Sequence, residues 1–175
     1  MSQAKNQRHK LPGEFLKADS KTLGANSFSK DISDCWPYGY DYSQRHHCPS
    51  AISFPQNNDE VIELVNLCKQ HGISIVGRGG ATNATGAVVP SDPALVISFE
   101  RMRGILEANY KDRYRKTKGG ALHSDIQKEA SKHGFFWGPC PTSSEYSTIG
   151  GNIACNASGA RALKYGSCRE NVLGL

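Results

Sequence analysis

The chain has 175 residues and a mass of 19.0 kDa, with 38% hydrophobic and 21% charged residues, which is a globular composition of about one domain. No apolar run of about 18 residues is present, and the first residues lack the apolar stretch of a secretory signal, so a membrane span and a secreted protein are not expected. We expect a cytoplasmic protein, at most peripheral to a membrane.

The net charge of +5 is concentrated near the N-terminus. Residues 1–30 carry six lysines or arginines against Glu14 and Asp19, whereas the rest of the chain is close to neutral. This stretch is polar and shows no periodicity, so we predict a basic, flexible tail over 1–30. Because no stripe of aromatic and basic residues accompanies the tail, we expect no nucleic-acid partner.

The first predicted elements are a short strand and a helix. Residues 51–54 form an apolar run that is closed by Pro55. Asn57 and Glu60 then have the spacing of a capping box, and apolar residues recur at helical intervals up to Gly72. The pattern predicts a helix that is capped at Asn57 and that ends at Gly72.

Further elements follow with weaker signals. Apolar runs predict strands at 73–76 and 95–99, and an unusually charged stretch at 113–118 occupies the place of another strand, at an edge or distorted. A second helix is predicted over Ser124–His133, with its first residue as the cap. Residues 135–137 are predicted as a brief strand or a buried turn.

A glycine-rich loop, residues 77–86, follows directly on the strand at 73–76. Its glycines allow successive backbone N–H groups to point into one concavity, which suits phosphate oxygens. The loop lacks the Gly-Lys-Ser/Thr of a P-loop and the third glycine of the dinucleotide fingerprint. Taken alone it is a phosphate site or a plain turn. Its Arg78 either pairs with phosphate charge or holds the loop through backbone carbonyls.

A small-residue segment, residues 141–159, is rich in hydroxyl side chains and poor in bulky ones. Gly150 and Gly151 open a short predicted helix, and a helix N-terminus aimed at the same pyrophosphate would strengthen the site. The alternative is a hydroxyl-rich surface loop. The central hypothesis is that this segment and the glycine-rich loop converge on a single diphosphate.

The six cysteines do not form a CxxC pair. His46, His47 and Cys48 are adjacent, and Cys68 lies three residues before His71, but neither spacing matches an ordinary zinc module. We therefore expect free thiols and no metal site.

Together these residues resemble the FAD-linked oxidase family of vanillyl-alcohol oxidase type, whose cofactor domain is called the PCMH-type FAD-binding fold. The nearest branch is that of the D-lactate dehydrogenase and glycolate oxidase catalytic subunits. Four segments carry the resemblance, namely 49–55 with the capped helix, 77–90, Gly119-Gly120 before a helix, and 141–174. It implies an α+β fold of two small α/β subdomains, at 31–110 and 111–175, with the second truncated at Leu175.

The resemblance also implies the residues that contact FAD, and it places no catalytic residue in this chain. The implied contacts in the glycine-rich loop are Arg78, Gly79, Gly80, Ala81, Thr82, Asn83 and Ala84. Those in the small-residue segment are Pro141, Thr142, Ser143, Ser144, Ser147, Thr148, Gly150, Gly151, Asn152, Asn156, Ala157, Ser158 and Gly159.

The sequence departs from the family pattern at several of these positions. Ala81 and Asn83 stand where relatives often have glycine, so the loop is less permissive. Ala81 also stands where covalent members carry the histidine that is bonded to the flavin, which implies noncovalent FAD. Cys140 occupies a position that is commonly aspartate.

The function that the resemblance implies is oxidation of a 2-hydroxy acid, such as D-lactate or glycolate, by hydride transfer to flavin N5. The small-molecule substrate is expected to be bound through a missing C-terminal domain, so this chain alone is expected to be inactive. The electron acceptor is expected to be a protein or a quinone. Two alternatives stay open: a flavoprotein with other chemistry, similar to alkyl-glycerone-phosphate synthase, and a non-catalytic nucleotide-binding fragment or electron-transfer subunit.

Overall fold

A computed structural model describes residues 11–16, 27–91 and 94–175, and divides them between two units. The first unit contains the described residues as far as Arg78, together with Ala84–Ser98. The second contains Gly79–Asn83 and Phe99–Leu175. The middle of the glycine-rich loop therefore belongs to the same unit as the small-residue segment.

The first unit is built on a four-stranded sheet in the order β1-β2-β4-β3. Its strands are β1 Phe28–Ser29, β2 Ala51–Ser53, β3 Ser74–Arg78 and β4 Ala94–Ser98. β4 pairs in parallel with both β2 and β3, while β1 is antiparallel to β2. All five residues of β4 are buried, as its continuous apolar sequence requires of a central parallel strand.

The capped helix of the first unit is confirmed. Helix α2 spans Asn58–His71, and it follows the shorter α1, Ile32–Cys35, and a 3-10 turn at Trp36–Tyr38. Glu60 N donates to Asn57 Oδ1 at 2.9 Å, and Gln56 N donates to Glu60 Oε2 at 2.8 Å, so the capping box closes one position earlier than the ideal motif. Gly72 ends the helix with a left-handed φ of 63°.

Two parts of the predicted tail, residues 11–16 and 27–30, lie within the described residues. Phe15 is fully buried and its ring meets His71 edge-on, while Phe28 pairs with Ser53 in the sheet. Residues 1–10 and 17–26, which hold most of the basic charge of the predicted tail, lie outside the described residues.

The second unit contains a β-hairpin and three helices among its described residues. Its elements are β5 Ile105–Asn109, β6 Tyr114–Thr117, α3 His123–Ser131, α4 Ile149–Ala154 and α5 Ala162–Tyr165. The hairpin is antiparallel, with a register shift between Ile105 and Glu107. The predicted subdomain boundary at residue 110 falls in the turn between β5 and β6. Among the described residues the charged strand β6 pairs with β5 alone, so it is an edge strand, where charged side chains are tolerated.

The second predicted helix begins one residue early. His123, not Ser124, is its first residue, and Leu122 stands at the cap position without a side-chain bond. Ser124 is buried within the first turn. Residues 135–137 form no strand, and Gln127 instead exchanges two hydrogen bonds with the backbone of Trp137.

All six cysteines are free thiols, as expected. Within the described ranges, no helix has the length and apolar character needed to cross a membrane, and no cluster of three or more His, Cys, Asp or Glu side chains is arranged to hold a metal.

Candidate functional site

The glycine-rich loop packs closely against the small-residue segment within the second unit. A Cβ added at Gly79 would overlap Thr148 Oγ1. A Cβ added at Gly80 would overlap the carbonyl oxygen of Tyr146 and lie 3.2 Å from Ser147 Cα. The loop backbone therefore meets a side chain at Gly79 and the opposite backbone at Gly80, and both approaches require the absence of a Cβ.

Ala81 continues this turn with a left-handed φ of 53°. That region costs a residue with a Cβ about 1–2 kcal/mol. Ala81 stands where relatives often have glycine, and its left-handed backbone is one that glycine adopts freely. The neighbouring Thr82 and Asn83 are half-buried in the same turn.

Backbone hydrogen bonds join the small-residue segment to residues 119–123. His123 N donates to Ser147 O at 3.0 Å, Ile149 N to Ala121 O at 2.8 Å, and Gly150 N to Gly119 O at 2.9 Å. A Cβ at Gly150 would lie 2.7 Å from the Gly119 carbonyl oxygen. A second close approach, here between the backbones of Gly150 and Gly119, thus fixes the start of α4.

Thr148 links the two turns. It is the N-cap of α4, where its hydroxyl accepts a hydrogen bond from Gly151 N at 3.3 Å. The same hydroxyl oxygen faces Gly79. One side chain therefore caps the helix and sets the distance of closest approach for the glycine-rich loop.

The hydroxyls before Thr148 differ in exposure. Thr142 is exposed, Ser143 and Ser144 are half-buried, and Ser147 is buried. A tight turn orders them, because Ser144 N donates to Pro141 O and Ser147 N donates to Ser143 O. Within the described residues, the buried Ser147 Oγ has no hydrogen-bond partner.

The end of the segment is shaped by Asn156 and Gly159. Asn156 has a φ of 48°, and its Oδ1 accepts from Ser167 Oγ at 2.7 Å and from Arg169 N at 2.9 Å. Gly159 lies against the Cys140 carbonyl with a φ of 148°. Ala157 is half-buried and Ser158 exposed between them. The side chain of Asn156 is engaged in holding the backbone, which is a role that the sequence did not indicate.

Arg78 lies in the first unit, and its guanidinium is occupied by backbone carbonyls. It donates to Tyr40 O at 2.6 Å, to Pro37 O at 3.2 Å and to Tyr38 O at 3.5 Å, and it also lies over the Tyr38 ring. Of the two roles that the sequence left open for Arg78, these contacts favour the structural one.

Comparison with known proteins shows which family the chain belongs to. Residues 49–175 match the FAD binding domain family. The chain belongs to this family. It is 35% identical over 153 residues to the glycolate oxidase subunit GlcD of Bacillus subtilis, covering 87% of this chain and 33% of that protein. It is 31% identical over 173 residues to the alkyldihydroxyacetonephosphate synthase of Trypanosoma brucei brucei, covering 96% and 28%.

The solved structures show the same α+β fold. An alkyldihydroxyacetonephosphate synthase superposes with a TM-score of 0.82 at 25% identity, covering 92% of this chain and 32% of that one. The predicted PCMH-type FAD-binding fold is confirmed, and FAD is the cofactor of the family. The chain spans about a third of the length of the relatives that it matches.

The residues of this FAD-binding domain fit a dinucleotide cofactor. The packed glycines at 79, 80 and 150 bring the loop at 79–83 directly against the start of α4, so the backbone N–H groups of two turns lie side by side, as a pyrophosphate site requires. The sequence predicted that the two turns meet. It gave no sign that His123 and the Tyr146 carbonyl contact them. His123 is fully buried.

Asp41 gives the FAD-binding domain a predicted acid sensitivity. Burial of the Asp41 carboxyl raises its pKa, but Ser43, whose N–H donates to Oδ1 at 2.9 Å, and the nearby backbone of Gly86 and Val88 outweigh burial and lower the pKa below its ordinary value. A lowered folded pKa means that this contribution to stability is complete above the unfolded pKa, and is lost as pH falls through the folded one. Asp41→Asn should flatten the acid limb of urea stability between about pH 5 and pH 2. An unchanged acid limb would contradict the assignment.

Thr148→Val should weaken both the helix and the cofactor site. Loss of the cap costs about 1 kcal/mol of unfolding free energy, and we expect a rise of about 3- to 10-fold in the Kd for FAD, since valine keeps the shape but not the hydroxyl. Urea unfolding and FAD titration measure the two effects. Thr117→Val, in the hairpin, is the control and should leave FAD affinity unchanged. Equal FAD affinity in all three proteins would show that the Thr148 hydroxyl has no role in the site.

Proposed function

We propose that this chain is the FAD-binding portion of a flavin-dependent oxidoreductase that oxidises a 2-hydroxy acid such as D-lactate or glycolate. The observation that carries the proposal is the backbone packing of Gly79 and Gly80 against Tyr146–Thr148. The substrate class rests on the similarity to the glycolate oxidase subunit.

The proposed cofactor contacts fall into three groups. Gly79, Gly80, Ala81, Thr82 and Asn83 offer backbone to the pyrophosphate, with Ala84 following. Residues 141–144 and Ser147, Thr148, Gly150, Gly151 and Asn152 line the ribityl chain and ring. Asn156–Gly159 complete the pocket by shape. Because alanine has no nucleophilic atom, Ala81 supports noncovalent binding at this position.

Bound FAD supplies the hydride acceptor for oxidation of a substrate C–H bond. The described residues contribute binding and orientation, and we propose no catalytic residue among them. We propose that the base and the groups that bind the substrate carboxylate lie in the portion of such enzymes that this chain does not span. A protein or quinone electron acceptor and a cytoplasmic location belong to the same proposal, and the six free thiols support a reducing compartment.

The test begins with FAD uptake by the full-length protein. We expect flavin absorbance bands to be retained through desalting, and to be released by denaturation because the link is noncovalent. Anaerobic addition of D-lactate or glycolate should then bleach the oxidised flavin band, whereas L-lactate serves as the stereochemical control. Absence of flavin uptake would overturn the cofactor assignment, and uptake without bleaching by any 2-hydroxy acid would overturn the substrate class.

A second candidate is a flavoprotein with other chemistry, like alkyldihydroxyacetonephosphate synthase. The observation that favours it is coverage, because that alignment spans 96% of the chain against 87% for the glycolate oxidase subunit. An acyl-glycerone-phosphate that perturbs the flavin spectrum, in a protein that hydroxy acids do not bleach, would support this candidate.

A further inference from the structure

We infer that His123 is a positioning residue that fixes the geometry of the cofactor segment Ser147–Asn152. The inference rests on the proposed function, because it concerns the segment proposed to line the flavin. His123 begins helix α3 and is fully buried, outside the set of proposed cofactor contacts.

One residue holds both ends of this segment. The backbone N–H of His123 donates to Ser147 O at 3.0 Å, and its ring Nδ1 lies 3.2 Å from Asn152 Nδ2. Between these two points lie the cap Thr148 and the close approach at Gly150. His123 therefore ties the turn before α4 to the first full turn of that helix.

The Asn152 contact also selects the tautomer of the ring. Asn152 Nδ2 is a donor, so Nδ1 carries the lone pair and the ring proton is on Nε2. Burial lowers the pKa of His123, Glu145 opposes this shift, and Arg161 adds to it. The ring is thus neutral at pH 7, so it orients the segment without contributing a charge to phosphate.

Histidine at this position carries a local cost. Within the described part of the chain, His123 Nε2 is buried without a hydrogen-bond partner, as is Ser147 Oγ. The two residues are linked beside the Leu122–Thr148 bridge, where His123 N donates to Ser147 O. An apolar side chain of similar size would remove the unsatisfied nitrogen, and packing alone therefore does not explain the histidine.

The discriminating variants are His123→Leu and His123→Asn. Leucine fills the space but cannot accept from Asn152, whereas the amide oxygen of asparagine takes a place close to that of Nδ1. Ala130→Gly, in the same helix at a buried position, is the matched control, because it weakens α3 without touching the segment.

The Kd for FAD and the thermal midpoint are measured for all four full-length proteins. We expect His123→Leu to raise the Kd by about 10-fold or more, and His123→Asn to restore it to within about 3-fold of wild type. Ala130→Gly should lower the midpoint by a few degrees at unchanged Kd.

Two results would overturn the inference and are distinguishable from failure of the proposed function. If wild type binds FAD and His123→Leu binds it equally well, or if asparagine restores nothing, His123 does not position the segment. If wild type itself binds no FAD, the proposed function fails and this inference fails with it.

Discussion

Replacing Gly80 with alanine should weaken FAD binding by about 10- to 100-fold, the equivalent of about 1–3 kcal/mol of overpacking. The new Cβ meets the Tyr146 carbonyl and Ser147 Cα, which are backbone atoms that no rotamer change can move aside. The loop must therefore withdraw from the small-residue segment, and the two halves of the proposed pyrophosphate site separate.

Two further glycine variants are compared with Gly80→Ala. At Gly79 the obstructing atom is the Thr148 hydroxyl, which belongs to a side chain, so Gly79→Ala should have a smaller effect. At Gly13 a Cβ would meet nothing within 4 Å, so Gly13→Ala is the control and should bind FAD as wild type does. Fluorescence titration gives the three dissociation constants. Wild-type affinity in Gly80→Ala would contradict the packed arrangement of the two turns.

Arg78→Met should lower the free energy of unfolding by about 2–4 kcal/mol, because it leaves carbonyls of the 37–40 turn without their charged donor. Arg78 as a residue is 9% exposed, and its guanidinium reaches all three carbonyls at once. A lysine ammonium cannot reproduce this fork. We therefore expect Arg78→Lys to lose most of the same stability, although it keeps the charge.

The lysine variant separates the two roles that the sequence allowed for Arg78. A phosphate ligand would tolerate lysine, and its FAD affinity would fall steeply with added salt. A residue that organises the loop would lose stability with either replacement. Urea unfolding measures the change, and Arg113→Met, at an exposed arginine, is the control. Near wild-type stability in Arg78→Lys would contradict the structural role.

The parts of the fold that could be predicted are those with local causes. Helix α2 has a capping residue, a regular apolar face and a terminal glycine, and each of these signals acts within a few residues. A continuous apolar run predicts strand β4. Strand β5 was missed because its central residues alternate little, and its conformation depends on pairing with β6.

The candidate site likewise has one part that the sequence predicted and one part that it could not predict. The two turns could be located from their glycine content, because glycines are needed where the backbone approaches another group closely. The partners of those glycines are a carbonyl and a hydroxyl distant in sequence, so the contacts could not be predicted. His123 carries no local sign of burial, and the role of Asn156 depends on residues 167 and 169. Tertiary packing assigns these roles.

Hydrogen exchange with and without FAD tests the central claim most directly, namely that the two turns bind one cofactor. The account predicts that the backbone amides of residues 79–83 and 147–151 slow together on FAD addition, while those of the hairpin at 105–117 keep their rates. Slowing in only one of the two turns, at FAD concentrations that saturate the protein, would contradict it.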